Sequence, residues 1–145
     1  MQFTSLHAAW EAIPLSLSLS ERINTAWLDT LREVGTRVQV RSGDNVISLN
    51  DTNTGTGYVL YSGEISVQKK DAPEIVKPAP ELLGEMGQLN PAGTRTASVV
   101  AATDVALISF NWTKLNAALA IRLSEAELET LKDAIQQYAW SHFVE

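Results

Sequence analysis

The sequence contains no cysteine, which excludes disulfide bonds, zinc–thiolate sites and thiol catalysis. It has no run of about 18 apolar residues, the length that a membrane-spanning helix needs, and its N-terminus lacks the basic and then apolar layout of a signal peptide. We therefore expect a cytoplasmic protein that does not bind membranes. Basic residues are also scarce. The chain has 11 Lys and Arg and 17 Asp and Glu, which give a net charge of −6. An acidic chain without a basic cluster is poorly suited to a phosphate backbone, so we expect no autonomous nucleic-acid binding.

Metal-ligating and catalytic residues are equally scarce. His7 and His142 stand far apart in the sequence, without partners at metal-ligand spacing, and are expected to be surface or packing residues. The polar run 50–57 has the composition of a loop between strands rather than of a metal site. No nucleophile is accompanied by a base. The sequence therefore predicts a protein that is not an enzyme and has neither a metal nor a cofactor.

The length of the chain and the positions of its helix-capping and helix-ending residues predict one domain with helices at both ends. At 145 residues and 45% hydrophobic content, the chain is large enough to bury its own core. We divide this one domain into an N-terminal helical segment at 1–35, a β-rich segment at 36–110 and C-terminal helices at 111–145. A first short helix must stop near Ile13, because the residue before a proline is driven out of the α region. Later helices are expected to begin after the N-cap residues Ser20 and Asn111, and the second helix should end at Gly35.

The last helix has the clearest signal. Ser124 and Glu127 form a capping box. Apolar or aromatic side chains then recur at spacings of three and four on one stripe, at Leu128, Leu131, Ile135, Tyr138 and His142. A stripe of this kind predicts packing against the rest of the domain or against a partner helix.

The middle of the chain alternates apolar and polar residues with a period of two, as strands do. A hairpin is predicted around Ser62–Gly63 and a second turn at Thr103–Asp104. Three prolines restrict any strand near 74–77 to an edge. The expected strands are 36–41, 46–49, 58–61, 64–67, 74–77, 97–101 and 105–110. Seven or eight short strands with polar turns predict a mainly β fold with flanking helices, namely an antiparallel β-roll or jelly-roll barrel.

Residues 83–99 place a carboxylate and a guanidinium ten positions apart, around a short turn and ahead of a β-branched strand. Arg95 offers a planar fork of donors that suits two phosphate oxygens, whereas Glu85 can only accept and suits a ribose hydroxyl. Gly84 and Gly87 leave no Cβ in the way of a ligand that approaches the backbone. This layout is typical of a site for a small phosphorylated sugar.

This segment resembles the phosphate-binding cassette of cyclic-nucleotide-binding domains, which occur in the bacterial catabolite activator protein, in kinase regulatory subunits and in cyclic-nucleotide-gated channels. The resemblance is strongest at 84–87 and 95–99, extends loosely over about 13–144, and includes the run at 58–67 that precedes the cassette. It implies that Glu85 receives the ribose 2′-hydroxyl and that Arg95 pairs with the cyclic phosphate. Thr96 matches a position that contacts phosphate in some members and guanine in others. The ligand-binding residues predicted in this way are Gly84, Glu85, Met86, Gly87, Arg95, Thr96 and Ala97.

The resemblance also implies that the C-terminal helix moves toward the ligand. The candidate aromatic residues for a lid over the base are Tyr138, Trp140 and Phe143, with core packing as the alternative. We expect a sensor that binds cAMP, favoured over cGMP, and relays occupancy through helix movement to an effector protein or an attached domain. The alternative is a protein-interaction module on the same fold that lacks a nucleotide and forms a homodimer through its last helix. The sequence does not decide between cAMP and cGMP, between a whole receptor and a fragment, or among partners.

Overall fold

The computed structural model describes residues 5–48, 55–84 and 97–142, and describes no side chains within 139–142. Helices stand at both ends of the chain and eight strands lie between them in the described ranges. The helices are α1 (Leu6–Ala12), a 3₁₀ helix (Pro14–Ser18), α2 (Glu21–Val34), α3 (Trp112–Arg122) and α4 (Glu125–His142). The strands are β1 (Thr36–Val40), β2 (Asn45–Ile47), β3 (Thr56–Ser62), β4 (Glu64–Gln68), β5 (Ile75–Pro78), β6 (Glu81–Leu83), β7 (Ser98–Ala101) and β8 (Val105–Asn111).

The predicted helix caps are confirmed. The Ser20 hydroxyl accepts the Ile23 N–H at 3.2 Å, and the Asn111 side-chain oxygen accepts the Lys114 N–H at 3.0 Å. In the capping box of α4, the Glu127 carboxylate accepts the Ser124 N–H at 3.0 Å and the Ser124 hydroxyl accepts the Glu127 N–H at 3.2 Å. These bonds satisfy backbone donors that a helix start leaves without partners.

The eight strands form two antiparallel four-stranded sheets. Sheet A has the order β1-β8-β3-β6, and sheet B has the order β2-β7-β4-β5. The mainly β fold with flanking helices is as expected from the sequence, and β5 lies at a sheet edge, as its prolines predicted. The predicted barrel does not close, because no ladder between described residues joins sheet A to sheet B.

The predicted hairpin at Ser62–Gly63 is wrong. β3 belongs to sheet A and β4 to sheet B, so the chain changes sheets at this turn instead of folding back on itself. The same division holds for β1 with β2, β5 with β6, and β7 with β8. Gly63 has φ +94, and a Cβ there would lie 2.4 Å from the Asp104 carbonyl oxygen. A side chain would therefore be both strained and obstructed at this corner.

Backbone hydrogen bonds join these corners at one end of the sheets. Gly43 N–H donates to the Ala101 carbonyl at 2.7 Å, and Ala102 N–H donates to the Glu64 carbonyl at 2.9 Å. Ala79 N–H donates to the Gly63 carbonyl, also at 2.9 Å. Because β6 runs away from this end and β7 runs toward it, Gly84 and Ala97 lie at the opposite end of the roll.

Sheet A separates two hydrophobic cores. We call the cluster on its outer face the helical core, which includes Trp27, Val59, Leu82, Phe110 and Leu131. The roll core lies between the sheets and includes Leu60, Ile65, Leu83, Val99 and Leu107. Successive strand residues point to opposite faces, so Val59 and Leu82 enter one core while Leu60 and Leu83 enter the other.

An aromatic cluster fastens the helices to sheet A. The ring centroids of Trp10 and Trp27 are 5.0 Å apart, and those of Phe110 and Trp112 are 4.9 Å apart in an edge-to-face arrangement. Trp27 contacts both Phe110 and Trp112, at 5.9 and 6.4 Å. The cluster therefore links α1, α2, the end of β8 and the first residue of α3.

Candidate functional site

The structure describes both ends of the predicted cassette, namely 83–84 and 97–99. Gly84 follows β6 with φ +87, a conformation that side-chain-bearing residues rarely adopt. Ala97 is fully buried and belongs to the roll core, together with Leu83. Both ends of the cassette thus join the chain at the interior of the roll, one from each sheet.

The register of sheet A places the start of the cassette beside the helices. Tyr58 is opposite Leu83 in the ladder between β3 and β6, so the next position along would bring Gly57 level with Gly84. On its other side, Gly57 pairs with Phe110. A Cβ at Gly57 would lie 2.6 Å from the Phe110 ring and 2.9 Å from that of Trp112. The backbone at this level is therefore in close contact with the aromatic cluster that begins α3.

A buried carboxylate that pairs with a partly exposed lysine lies just before the cassette, and it was not predicted from the sequence. Glu81 opens β6 with its side chain 8% exposed, and its carboxylate lies 3.9 Å from the Lys77 ammonium. It also accepts the Leu82 N–H at 3.2 Å. Buried carboxylates are rare unless they are paired. The sequence feature that could have indicated this burial is the position of a charged residue between Pro80 and two leucines.

The remaining predicted ligand-binding residues, Glu85, Met86, Gly87, Arg95 and Thr96, lie outside the described residues. Their roles stay predictions.

Of the three candidate lid residues, Tyr138 is the one whose side chain the structure describes. It is 6% exposed and lies in the helical core. This location agrees with the alternative interpretation, in which Tyr138 packs in the core. To cover a base bound in the roll, it would have to leave this core. The Trp140 side chain and the whole of Phe143 lie outside the described residues.

Polar contacts fasten the junction between α3 and α4 onto α2. Arg22 donates through Nε to the Glu127 carboxylate at 2.7 Å and through Nη2 to the Arg122 carbonyl at 3.1 Å. Arg122 in turn donates to the Thr30 hydroxyl at 3.1 Å and pairs with Glu33. The Ser124 N–H bond, followed by the Arg22 contact, lowers the pKa of Glu127 below its ordinary value of 4.5. The ionised carboxylate thus holds the start of α4 to α2.

The described ranges contain no group of three or more His, Cys, Asp or Glu side chains that could hold a metal ion. None of the helices in the described part of the chain is both long and apolar enough to cross a membrane. His7 pairs with Glu11 on the surface, while the side chain of His142 lies outside the described residues.

Comparison with known proteins points to one family. The model of the cyclic nucleotide-binding domain matches residues 37–122, which include β1 from its second residue, all of β2 to β8, the cassette and α3. The Pycsar effector protein RsmPycTIR of Rhodovulum sp. (strain MB263) is 37% identical over 73 residues, which make up 49% of this chain and 28% of that protein. The chain thus matches little more than a quarter of this relative's length.

Solved structures share the fold. The N-terminal domain of a transcriptional regulator from Streptomyces coelicolor A3(2) superposes with a TM-score of 0.67 at 23% identity, over 93% of this chain and 94% of that one. The regulatory domain of Toxoplasma gondii PKA, crystallised with cAMP, superposes with a TM-score of 0.69 at 11% identity, over 94% of this chain and 49% of that one. At these identities the similarity establishes the fold alone.

Proposed function

Because the chain belongs to the cyclic nucleotide-binding domain family, we propose that it is a cyclic-nucleotide sensor whose occupancy moves its terminal helices. The observation that carries this proposal is the position of the residues near the two ends of the cassette. Gly84 follows β6 of sheet A with φ +87, and Ala97 precedes β7 of sheet B. A ligand bound there would contact both sheets at once.

In this proposal two cassette residues contact different chemical groups of the ligand. Arg95 pairs with the cyclic phosphate and Glu85 accepts the ribose 2′-hydroxyl, because a guanidinium only donates and an ionised carboxylate only accepts. The backbone from Gly84 to Gly87 approaches the ligand without side chains in the way at either glycine. The module has no catalytic step, since its role is to bind and release an unchanged nucleotide.

The relay is supported by the contacts at the start of the cassette. A shift of Gly84 would act on Leu82 and Leu83, one in each core, and on Gly57 at the same level. Gly57 packs against Phe110 and Trp112, so the shift would reach the first residue of α3. The junction held by Arg22 and Arg122 would then transmit it to α4.

We propose cAMP rather than cGMP as the preferred ligand, with the spacing between Glu85 and Arg95 and the sequence at 84–87 as support, since both are more similar to the bacterial activators than to the kinases. Thr96 has a hydroxyl that suits either phosphate or guanine. If it contacts guanine, Thr96→Ala should weaken cGMP binding selectively, by roughly two- to tenfold for one lost hydrogen bond.

We further propose that the sensor acts in the cytoplasm through a partner protein or an attached domain. Its net charge of −6 counts against nucleic acids as partners. The partial match to the longer Rhodovulum protein is consistent with a module of this kind working inside a larger chain.

The experiment that tests this function is a thermal melt in the presence of cyclic nucleotides. A ligand that binds only the native state stabilises it by about 2.7 kcal/mol at 100 times Kd, which corresponds to roughly 5 to 10 °C for a domain of this size. We expect shifts of this order with cAMP, smaller shifts with cGMP, and no shift with linear AMP. Cyclic CMP and UMP should be included, since the proposed partners of Arg95 and Glu85 are the cyclic phosphate and the ribose, which all four nucleotides share. Melting unchanged by millimolar concentrations of all four would refute the sensor and favour the interaction module.

A further inference from the structure

The side chains of Lys77 and Glu81 link the two sheets at their outer strands. Lys77 lies on β5, the last strand of sheet B, and Glu81 opens β6, the last strand of sheet A. The Lys77 ammonium lies 3.9 Å from the Glu81 carboxylate. Because no ladder between described residues joins sheet A to sheet B, this contact is a side-chain link across an edge that the backbone leaves open. We call it the edge pair.

The register of the sheets directs both members of the edge pair into the roll. Lys77 is opposite Ile65 in the ladder between β4 and β5, and Glu81 is opposite Leu60 in the ladder between β3 and β6. Directly opposed residues lie on the same face of a sheet. Ile65 and Leu60 both belong to the roll core. The edge pair therefore lies between the sheets, beside the roll core.

The carboxylate of the edge pair has an unusual environment. Within 5–48, 55–84 and 97–142, Glu81 is the one charged residue that is buried. Taking a charge out of water is costly, and a buried ion pair commonly stabilises a fold no more than apolar side chains of similar size would. Stability alone therefore does not account for a carboxylate at this position, whereas a role in fixing one arrangement of the two sheets does.

The edge pair lies close to the start of the cassette. β6 has three residues, so two residues separate Glu81 from Gly84. The Glu81 carboxylate also accepts the Leu82 N–H at 3.2 Å, and β6 pairs with β3 on one side only. A displacement of Glu81 relative to Lys77 would therefore pass along this short strand to Gly84.

We propose that Glu81 is a positioning residue for nucleotide binding, which acts through Lys77 to fix Gly84 relative to sheet B. Gly84 follows β6 of sheet A and Ala97 precedes β7 of sheet B, so the separation of the sheets sets the separation of these two residues. A binding site that its supporting residues leave about 1 Å too loose loses function. This inference rests on the proposed cyclic-nucleotide function.

Calorimetric titration of cAMP tests this role. Glu81→Gln keeps the size of the side chain and an acceptor oxygen but removes the charge, and Lys77→Met keeps an apolar stem but removes the ammonium. Each should weaken cAMP binding by roughly three- to thirtyfold, the range for changes transmitted through contacts. Glu11→Gln is the matched control, because it removes the carboxylate of an exposed pair with the same spacing of four residues. It should bind cAMP like the parent.

Three further measurements separate positioning from a general loss of stability. Lys77→Arg keeps the positive charge and should bind cAMP like the parent. Glu81→Gln combined with Lys77→Met should bind no more weakly than the weaker single variant, because groups that act as one unit are not additive. Without nucleotide, hydrogen exchange of the amides at 82–84 should be faster in Glu81→Gln than in the parent and unchanged in Glu11→Gln. The exchange measurement does not depend on the proposed function.

The outcomes distinguish this inference from the function on which it rests. If the parent binds cAMP and both single variants bind it equally well, the positioning role is wrong and the cyclic-nucleotide function stands. Additive losses in the double variant, or unchanged exchange at 82–84, would also overturn the positioning role. A parent that binds none of the four cyclic nucleotides would refute the proposed function, and the positioning role with it. If Glu81→Gln does not fold, the contrast between Lys77→Met and Lys77→Arg decides, and equal affinity of these two variants would overturn the role.

Discussion

Leu82 and Leu83 are neighbours in β6, and both are fully buried, yet they lie in different hydrophobic cores. Leu82 packs under the helices, and Leu83 packs inside the roll. The strand that leads into the cassette is thus held on both faces. A change at Gly84 cannot be absorbed by one core alone, and this is the physical basis of the proposed relay.

The first prediction is that Leu82→Ala and Leu83→Ala each lower the free energy of unfolding by about 2 to 5 kcal/mol, because each leaves a cavity in a closed core. Leu82→Ala should change the tryptophan fluorescence of the native state more than Leu83→Ala, since Trp10, Trp27 and Trp112, the tryptophans whose side chains are described, are all in the helical core. Urea unfolding followed by fluorescence and by circular dichroism measures both effects.

Leu17→Ala is the control for this pair, because its side chain is 85% exposed and the substitution should cost less than about 0.5 kcal/mol. Identical fluorescence changes in the Leu82 and Leu83 variants would contradict the division into two cores.

A second prediction concerns the glycine at the level of the cassette. Gly57→Ala would place a Cβ 2.6 Å from the Phe110 ring, which is itself buried and cannot move aside. We expect a loss of about 1 to 3 kcal/mol, the usual cost of overpacking. Gly55→Ala is the matched control, since its nearest neighbour would be 3.7 Å away, at the Asn111 side-chain nitrogen. Chemical denaturation of both variants measures the difference, and equal stability would show that the contact is not restrictive.

The sequence predicted most elements of the fold because helix caps and strand periodicity are local signals. Ser20, Asn111 and Ser124 mark helix starts by the hydroxyl or amide that each presents to the next turn. Strand partners are set by contacts distant in the chain, and Ser62–Gly63 has the same local sequence whether the strands on either side pair or diverge. The three-residue strand β6 was too short to show a period, and it follows Pro80.

The same difference between local signals and contacts distant in the chain applies to the candidate site. Residue types at fixed spacing predict the cassette, most of which lies outside the described residues, and Gly84 has the positive φ for which a glycine is suited. Glu81 was missed because its burial depends on Lys77, which lies on β5, and on the packing of two sheets. Neither the pairing with Lys77 nor the packing of the two sheets can be predicted from the local sequence.

The third prediction is a pH dependence at the start of α4. Because folding lowers the pKa of Glu127 below 4.5, its contribution to stability is complete above that ordinary value and is lost as the pH falls through the lowered one. Glu127→Gln should therefore melt at a lower temperature than the parent at pH 7, and the difference should shrink toward zero in strong acid.

Glu125→Gln is the matched control for this measurement. It removes one negative charge from the same helical turn but leaves the bonds of Glu127 to Ser124 and Arg22 intact. It should reduce the melting temperature at neutral pH much less. A gap between the Glu127 variant and the parent that stays constant from pH 7 into strong acid would contradict the assigned role of the carboxylate.

The most direct test of cyclic-nucleotide binding at Arg95 is calorimetric titration of cAMP into the parent protein and into Arg95→Ala. Removing the cationic partner of a desolvated phosphate costs about 2 to 5 kcal/mol, so Arg95→Ala should bind cAMP at least tenfold more weakly. Arg41→Ala removes the same charge from an exposed position in the turn after β1 and should bind within twofold of the parent. Equal affinity of the parent and Arg95→Ala, or no binding of cyclic nucleotide to the parent at all, would contradict the central claim.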